Sequence, residues 1–146
     1  MLKTWIAIVL ALVGLAACAP MSPAPSAAAP AVQSAPGKAV IYVVRTRPDT
    51  SYLTAPLTLD GQPIGATFAG THMRLEVAPG RHRLSGYSSD TGGITLDVAA
   101  DRVYFVQHSV SGSWRATNPQ SFFTLLDDSR GRAALARAPE RTGSGA

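Results

Sequence analysis

The chain has 146 residues, thirteen Lys and Arg against nine Asp and Glu, a net charge of +4, 46% hydrophobic residues and one cysteine. That length suits one domain, and a single cysteine excludes an internal disulfide framework. The arginines fall singly or in close pairs such as Arg45/Arg47 and Arg81/Arg83, so the basic stripe of a nucleic-acid binder is absent.

Residues 1–17 carry the parts of a secretory leader: Lys3, an apolar run from Trp5 to Val13, and small residues before a cleavage point. The apolar stretch ends at Ala17, short of the ~20 residues a membrane-spanning helix needs. Leu15-Ala16-Ala17 followed at once by Cys18 reads as a lipobox. Leu15 suits the apolar subsite of a signal peptidase, and Ala16 and Ala17 leave the bond uncrowded. The Cys18 thiol takes a diacylglycerol as a thioether, and cleavage then leaves Cys18 as the new N-terminus, open to an N-acyl chain. Each buried lipid methylene contributes about 0.8 kcal/mol, and two or more chains anchor stably. The competing reading, a secreted protein with an exposed free thiol, fits an oxidising compartment poorly. Ala19 follows the cysteine, so no Asp stands there as an inner-membrane retention signal. The expected location is the cell envelope, on the inner leaflet of the outer membrane and facing the periplasm. Removing residues 1–17 from the 146 leaves 129, with twelve basic and nine acidic side chains.

After Cys18, residues 19–37 are rich in Pro, Ala and Ser and read as a linker. Extended as polyproline II it spans roughly 60 Å, and as a flexible chain about 25 Å. The expected domain covers 38–138, with 139–146 a frayed tail. Ala39–Arg45 is dense in β-branched and aromatic residues, and its apolar run suits a strand buried on both faces. Leu57-Thr58-Leu59 leads into the turn signal Asp60-Gly61, and Ile64–Phe68 returns. Met73, Leu75 and Val77 alternate with Arg74 and Glu76, and Pro79-Gly80 turns the chain. A two-residue loop there would form a hairpin with Leu84 opposite Leu75, Arg83 opposite Glu76 and His82 opposite Val77. Ile94, Leu96 and Val98 alternate in the next strand, then come Arg102–Val110 and Phe122–Leu126. Seven or eight short strands predict a mainly all-β fold, an antiparallel β-sandwich. A short C-terminal helix closes it, capped by Asp127, Asp128 or Ser129, stopped by Pro139, and weakened by Gly131, so that Leu135 must dock on the sandwich.

The sequence contains no nucleophile elbow, zinc-protease helix, paired-cysteine motif or phosphate loop, so no catalytic residue is assigned. His72, His82 and His108 come from separate segments without ligand-like spacing and are weak metal candidates at most. His82 shares a face with Leu84 and reads as a satisfied, partly buried imidazole; His108 sits near a strand end, open to solvent. Asp49, Asp60, Asp90, Asp97 and Asp101 fall at turns and strand ends, where aspartate serves the backbone. Trp114 lies in a Gly/Ser/Asn-rich segment and is a candidate partner contact, against a simpler role covering the core end. Arg45, Arg47 and Tyr52 form a second candidate contact, against a solvated connection.

Taken in order, Gly37-Lys38-Ala39-x-Ile41-Tyr42-x-x-Arg45, Leu59-Asp60-Gly61, Gly65, Glu76-Val77-x-Pro79-Gly80-x-His82, Val103-Tyr104-Phe105-Val106 and Gly131-x-Ala133-x-Leu135 resemble the bacterial lipoprotein family with the domain of unknown function DUF2846. The resemblance covers residues 37–138 and departs at Arg115 to Gln120. It implies a prealbumin-like or related sandwich, and it brings no catalytic residue. The function expected is a non-enzymatic binding or structural module of the envelope, held by its lipid. Its partner would be an envelope protein or polymer, with no nucleic acid and no cofactor beyond the covalent lipid. Alternatives are a small-molecule or metal-binding module, a lipoprotein subunit of a secretion machine, and a hydrolase of envelope polymers.

Overall fold

The computed structural model describes residues 32–46, 54–88, 92–112 and 118–140. Among the described residues eight strands precede one helix: β1 Ala39–Arg45, β2 Ala55–Leu59, β3 Gln62–Thr67, β4 Thr71–Val77, β5 Gly80–Ser85, β6 Gly93–Val98, β7 Val103–Ser111, β8 Gln120–Leu126 and α1 Asp128–Ala136. They form two four-stranded sheets, ordered β4-β1-β7-β8 and β3-β2-β5-β6. The fold is a mainly all-β sandwich with a short C-terminal helix, as the strand pattern predicts.

β1 is the organising strand. Ala39, Ile41 and Val43 point between the sheets, where they join Leu57, Leu84, Leu96 and Val106. Val40, Tyr42 and Val44 point outward into a second cluster with Phe105, Ala134 and Leu135. The alternation of a strand gives two faces, and α1 covers the one that the second sheet does not. Hence all seven residues of β1 are buried.

Local turn chemistry sets the β2–β3 hairpin. Leu59 pairs with Gln62 across the two-residue loop Asp60-Gly61. Both loop residues have positive φ, 51° and 80°, the conformation for which Asp-Gly is suited.

Two expectations are corrected. The sandwich is not wholly antiparallel, because β1 and β7 pair in parallel, Val40 with Val103 through Val44 with Gln107. Nor do β4 and β5 form a hairpin. β4 pairs with β1, placing Glu76 beside Val40, whereas β5 pairs with β6, placing Arg83 beside Thr95. Pro79-Gly80 carries the chain from one sheet to the other. Pro-Gly is not a favoured two-residue hairpin turn, and crossing lets Val77 and Leu84 face the same interior from opposite sheets.

Packing also begins earlier than the linker boundary implies. Ala35 is buried, and Val32 packs against the outer cluster. The Asp101 carboxylate accepts from the Gly37 backbone N–H at 2.9 Å, and the Gln33 N–H donates to the Tyr42 hydroxyl at 3.4 Å.

Asp127 caps α1, its carboxylate accepting from the Arg130 N–H at 2.8 Å. The far end is tied to β4: the His72 ring donates from Nδ1 to the Ala138 carbonyl at 2.5 Å, and the His72 N–H donates to the Pro139 carbonyl. Glu140, expected to begin the frayed tail, bridges His72 as well.

Candidate functional site

The three histidines lie in three different environments. His72 is 2% exposed on the outer face of β4, beside Tyr42 with ring centroids 5.8 Å apart. His82, on β5, points Nδ1 at the Asp60 carboxylate at 2.6 Å and Nε2 at the Ala78 carbonyl at 2.8 Å. Both partners are acceptors, so both ring nitrogens donate and the imidazolium is favoured. The Asp60 hydrogen bond, then that to Ala78, raises the His82 pKa above its ordinary 6.5. Asp60 moves down from 3.8, first through the Arg83 backbone N–H and then through His82. This pair ties the β2–β3 turn to β5, where only two residue pairs join β2 and β5 in the ladder.

His108 is 1% exposed, not open to solvent as its position near a strand end implies. Its inward face on β7 puts it between β3 and β8. Nδ1 lies 2.8 Å from the Thr67 hydroxyl and Nε2 2.9 Å from that of Ser121, with Phe123 stacked on the ring at 4.5 Å. Ser121 already accepts from the Tyr87 N–H at 2.9 Å. A consistent assignment has Ser121 donating to Nε2 and Nδ1–H donating to Thr67. Neither Thr67 nor Ser121 drew notice in the sequence, because strand spacing alone does not say which distant hydroxyls meet a histidine.

These histidines do not assemble a metal centre. Among the described residues no group of three His, Cys, Asp or Glu is placed to hold an ion. Each ring is instead engaged by partners on its own neighbouring elements.

Arg45 is corrected as a surface contact. It is fully buried at the end of β1 and donates to the Thr67 carbonyl at 3.2 Å. Arg47, Tyr52 and Trp114 lie outside the described residues, as do Leu15, Ala16, Ala17 and Cys18.

A groove of about 1000 Å³ opens between α1 and the outer face of the first sheet. Thr46, Gln107 and Thr124 contribute polar side chains from β7, β8 and the residue after β1. Arg130, Ala133, Ala134 and Arg137 line it from the helical side, and no carboxylate lines it among the described residues. The positions i, i+3, i+4 and i+7 share one helix face, so the arginines flank two small residues. Arg130 is 79% exposed and lies 3.4 Å from Asp127. Arg137 makes no ion pair among the described residues. On the neighbouring face Arg132 is paired with Asp128 at 2.8 Å. The spacing Arg130-x-x-Ala133-Ala134-x-x-Arg137 stands in the sequence; that a groove lies against it does not.

The groove and the start of the domain lie at opposite ends of β1. Val32 and Ser34 sit with Asp101, Arg102 and Val103, and Gly37 and Lys38 lead from them into β1 beside Asp101. The groove reaches Thr46 and Gly70, past Arg45. α1 runs between these ends, leaving β8 at Asp127 and finishing beside His72, which pairs with Val44.

The chain matches no family model, no curated protein and no solved structure, so the ordered sequence motifs alone carry the resemblance to the DUF2846 family.

Proposed function

We propose that this chain is a lipid-anchored, non-enzymatic binding module of the cell envelope, tethered through Cys18 to the inner leaflet of the outer membrane. The observation that carries the reading is polarity along β1: the chain enters the domain at one end, and the groove opens towards the other. A module tethered by its entry end presents the groove away from the anchoring membrane. Thirteen residues, 19–31, stand between Cys18 and Val32, the first packed residue among those described. Extended, they reach about 40 Å, enough to clear lipid headgroups and shorter than the linker composition implies. The engagement of His72, His82 and His108 in internal hydrogen bonds supports a structural role for all three. The resemblance to the DUF2846 family belongs to the same proposal. Its partner is an envelope protein or polymer.

Crosslinking in intact cells, followed by mass spectrometry, tests the binding role. The acylated protein is expected to retain a specific neighbour that Cys18→Ser loses. Recovery of only bulk lipid and abundant envelope proteins from both forms would remove the reading.

A further inference from the structure

We infer that the groove between α1 and the first sheet is a docking site for an extended acidic peptide segment, read by Arg130 and Arg137. This deepens the binding role proposed above and depends on it. The arginines are seven positions apart, which on a helix rising 1.5 Å per residue separates their Cα atoms by about 10 Å along the axis. Ala133 and Ala134 between them leave the space open. A polyproline II chain repeats every three residues at 3.1 Å each, so acidic residues at i and i+3 share a face about 9 Å apart. Each carboxylate can then meet one guanidinium, whose planar fork suits it.

The charge balance points the same way. Asp128 engages Arg132, whereas Asp127 touches Arg130 at the longer distance of 3.4 Å and also caps the helix. Arg137 has no acidic partner among the described residues. Two cations therefore border a groove that no carboxylate among the described residues lines. Gln107 and the hydroxyls of Thr46 and Thr124 offer donors and acceptors to a peptide backbone. A membrane headgroup fits less well, because the groove lies at the end of β1 away from the chain's entry.

The test uses the acylated full chain in neutral detergent and a fluorescein-labelled Glu-Pro-Pro-Glu peptide, followed by anisotropy at low and physiological salt. The peptide is expected to bind about two- to thirtyfold more tightly than its Gln-Pro-Pro-Gln counterpart, the sum of two exposed ion pairs. Arg130→Gln and Arg137→Gln should each weaken it about 1.5- to fivefold, the range for exposed, screened ion pairs. Arg132→Gln should leave affinity unchanged. Circular dichroism melts verify that the variants fold. Equal binding of the acidic and neutral peptides, or full binding by the folded Arg130→Gln/Arg137→Gln double variant, overturns the proposal. So does arginine-dependent binding of polyphosphate without peptide binding. If the variants lose the peptide but keep the cellular crosslink, the partner uses another surface: the binding role stands and this assignment of the groove's occupant falls. If the crosslink itself is absent, the binding role fails.

Discussion

Gly131 offers a direct test of how α1 is held. On helix propensity alone, Gly131→Ala should stabilise the protein by about 1 kcal/mol. The structure predicts the reverse. A Cβ at Gly131 would fall well inside contact distance of three Phe105 side-chain atoms, where carbon pairs ordinarily sit about 3.5–4.0 Å apart. Phe105 is 2% exposed and stacked on Tyr42 with centroids 5.7 Å apart, so the ring has little room to retreat. Overpacking of this kind typically costs about 1–3 kcal/mol. If α1 lifts instead, Leu135, 1% exposed, loses part of a burial worth roughly 1.5–3 kcal/mol. After the propensity gain, a net loss of up to about 2 kcal/mol is expected, or a fall in Tm of up to about 16 °C for a domain near one hundred residues. Thermal unfolding of the parent, Gly131→Ala, Phe105→Leu and the double variant forms a closed cycle. Removing the ring should relieve part of the penalty, giving a coupling of about 0.5–3 kcal/mol. A Gly131→Ala protein that melts above the parent would refute the close-packing argument.

The remaining predictions concern the histidines and the anchor. Because the His82 pKa is raised on folding, its contribution is complete below 6.5 and fades as pH rises through the raised value; because Asp60 is lowered, its contribution is present above 3.8 and fades as pH falls through the lowered value. Urea midpoints of the parent should therefore fall from pH 6 towards pH 8, and His82→Gln should flatten that slope; matching slopes in the two proteins would contradict the ion-pair reading. His108→Leu removes the partner of two buried hydroxyls, Thr67 and Ser121, and is expected to cost at least about 1–3 kcal/mol, read from the urea midpoint. An unchanged midpoint would show that those hydrogen bonds contribute nothing net. Cys18→Ser should abolish palmitate labelling in cells; persistent label on the variant would place the lipid elsewhere.

Local chemistry in the sequence determined much of the sandwich. Alternation at Met73, Leu75 and Val77 encoded the inward face of β4, though His72 is buried on the other face; the unbroken run Ala39–Val44 encoded a strand covered on both sides, Asp60-Gly61 a tight turn, and Asp127 was among three residues able to cap the helix. Strand partnership was not encoded locally. Burying Val77 and Leu84 is satisfied by a hairpin or by a crossing between sheets, and the tertiary structure chose the crossing. It also set β7 parallel to β1, drew His108 between Thr67 and Ser121, buried Arg45, and turned Gly131 from an apparent weakness into the point where α1 meets Phe105. The groove has the same origin: two arginines on one helix face are only a charge pattern until β7 and β8 supply its floor. Periodicity records which side of an element avoids water, whereas contacts between distant segments depend on how all the layers pack at once.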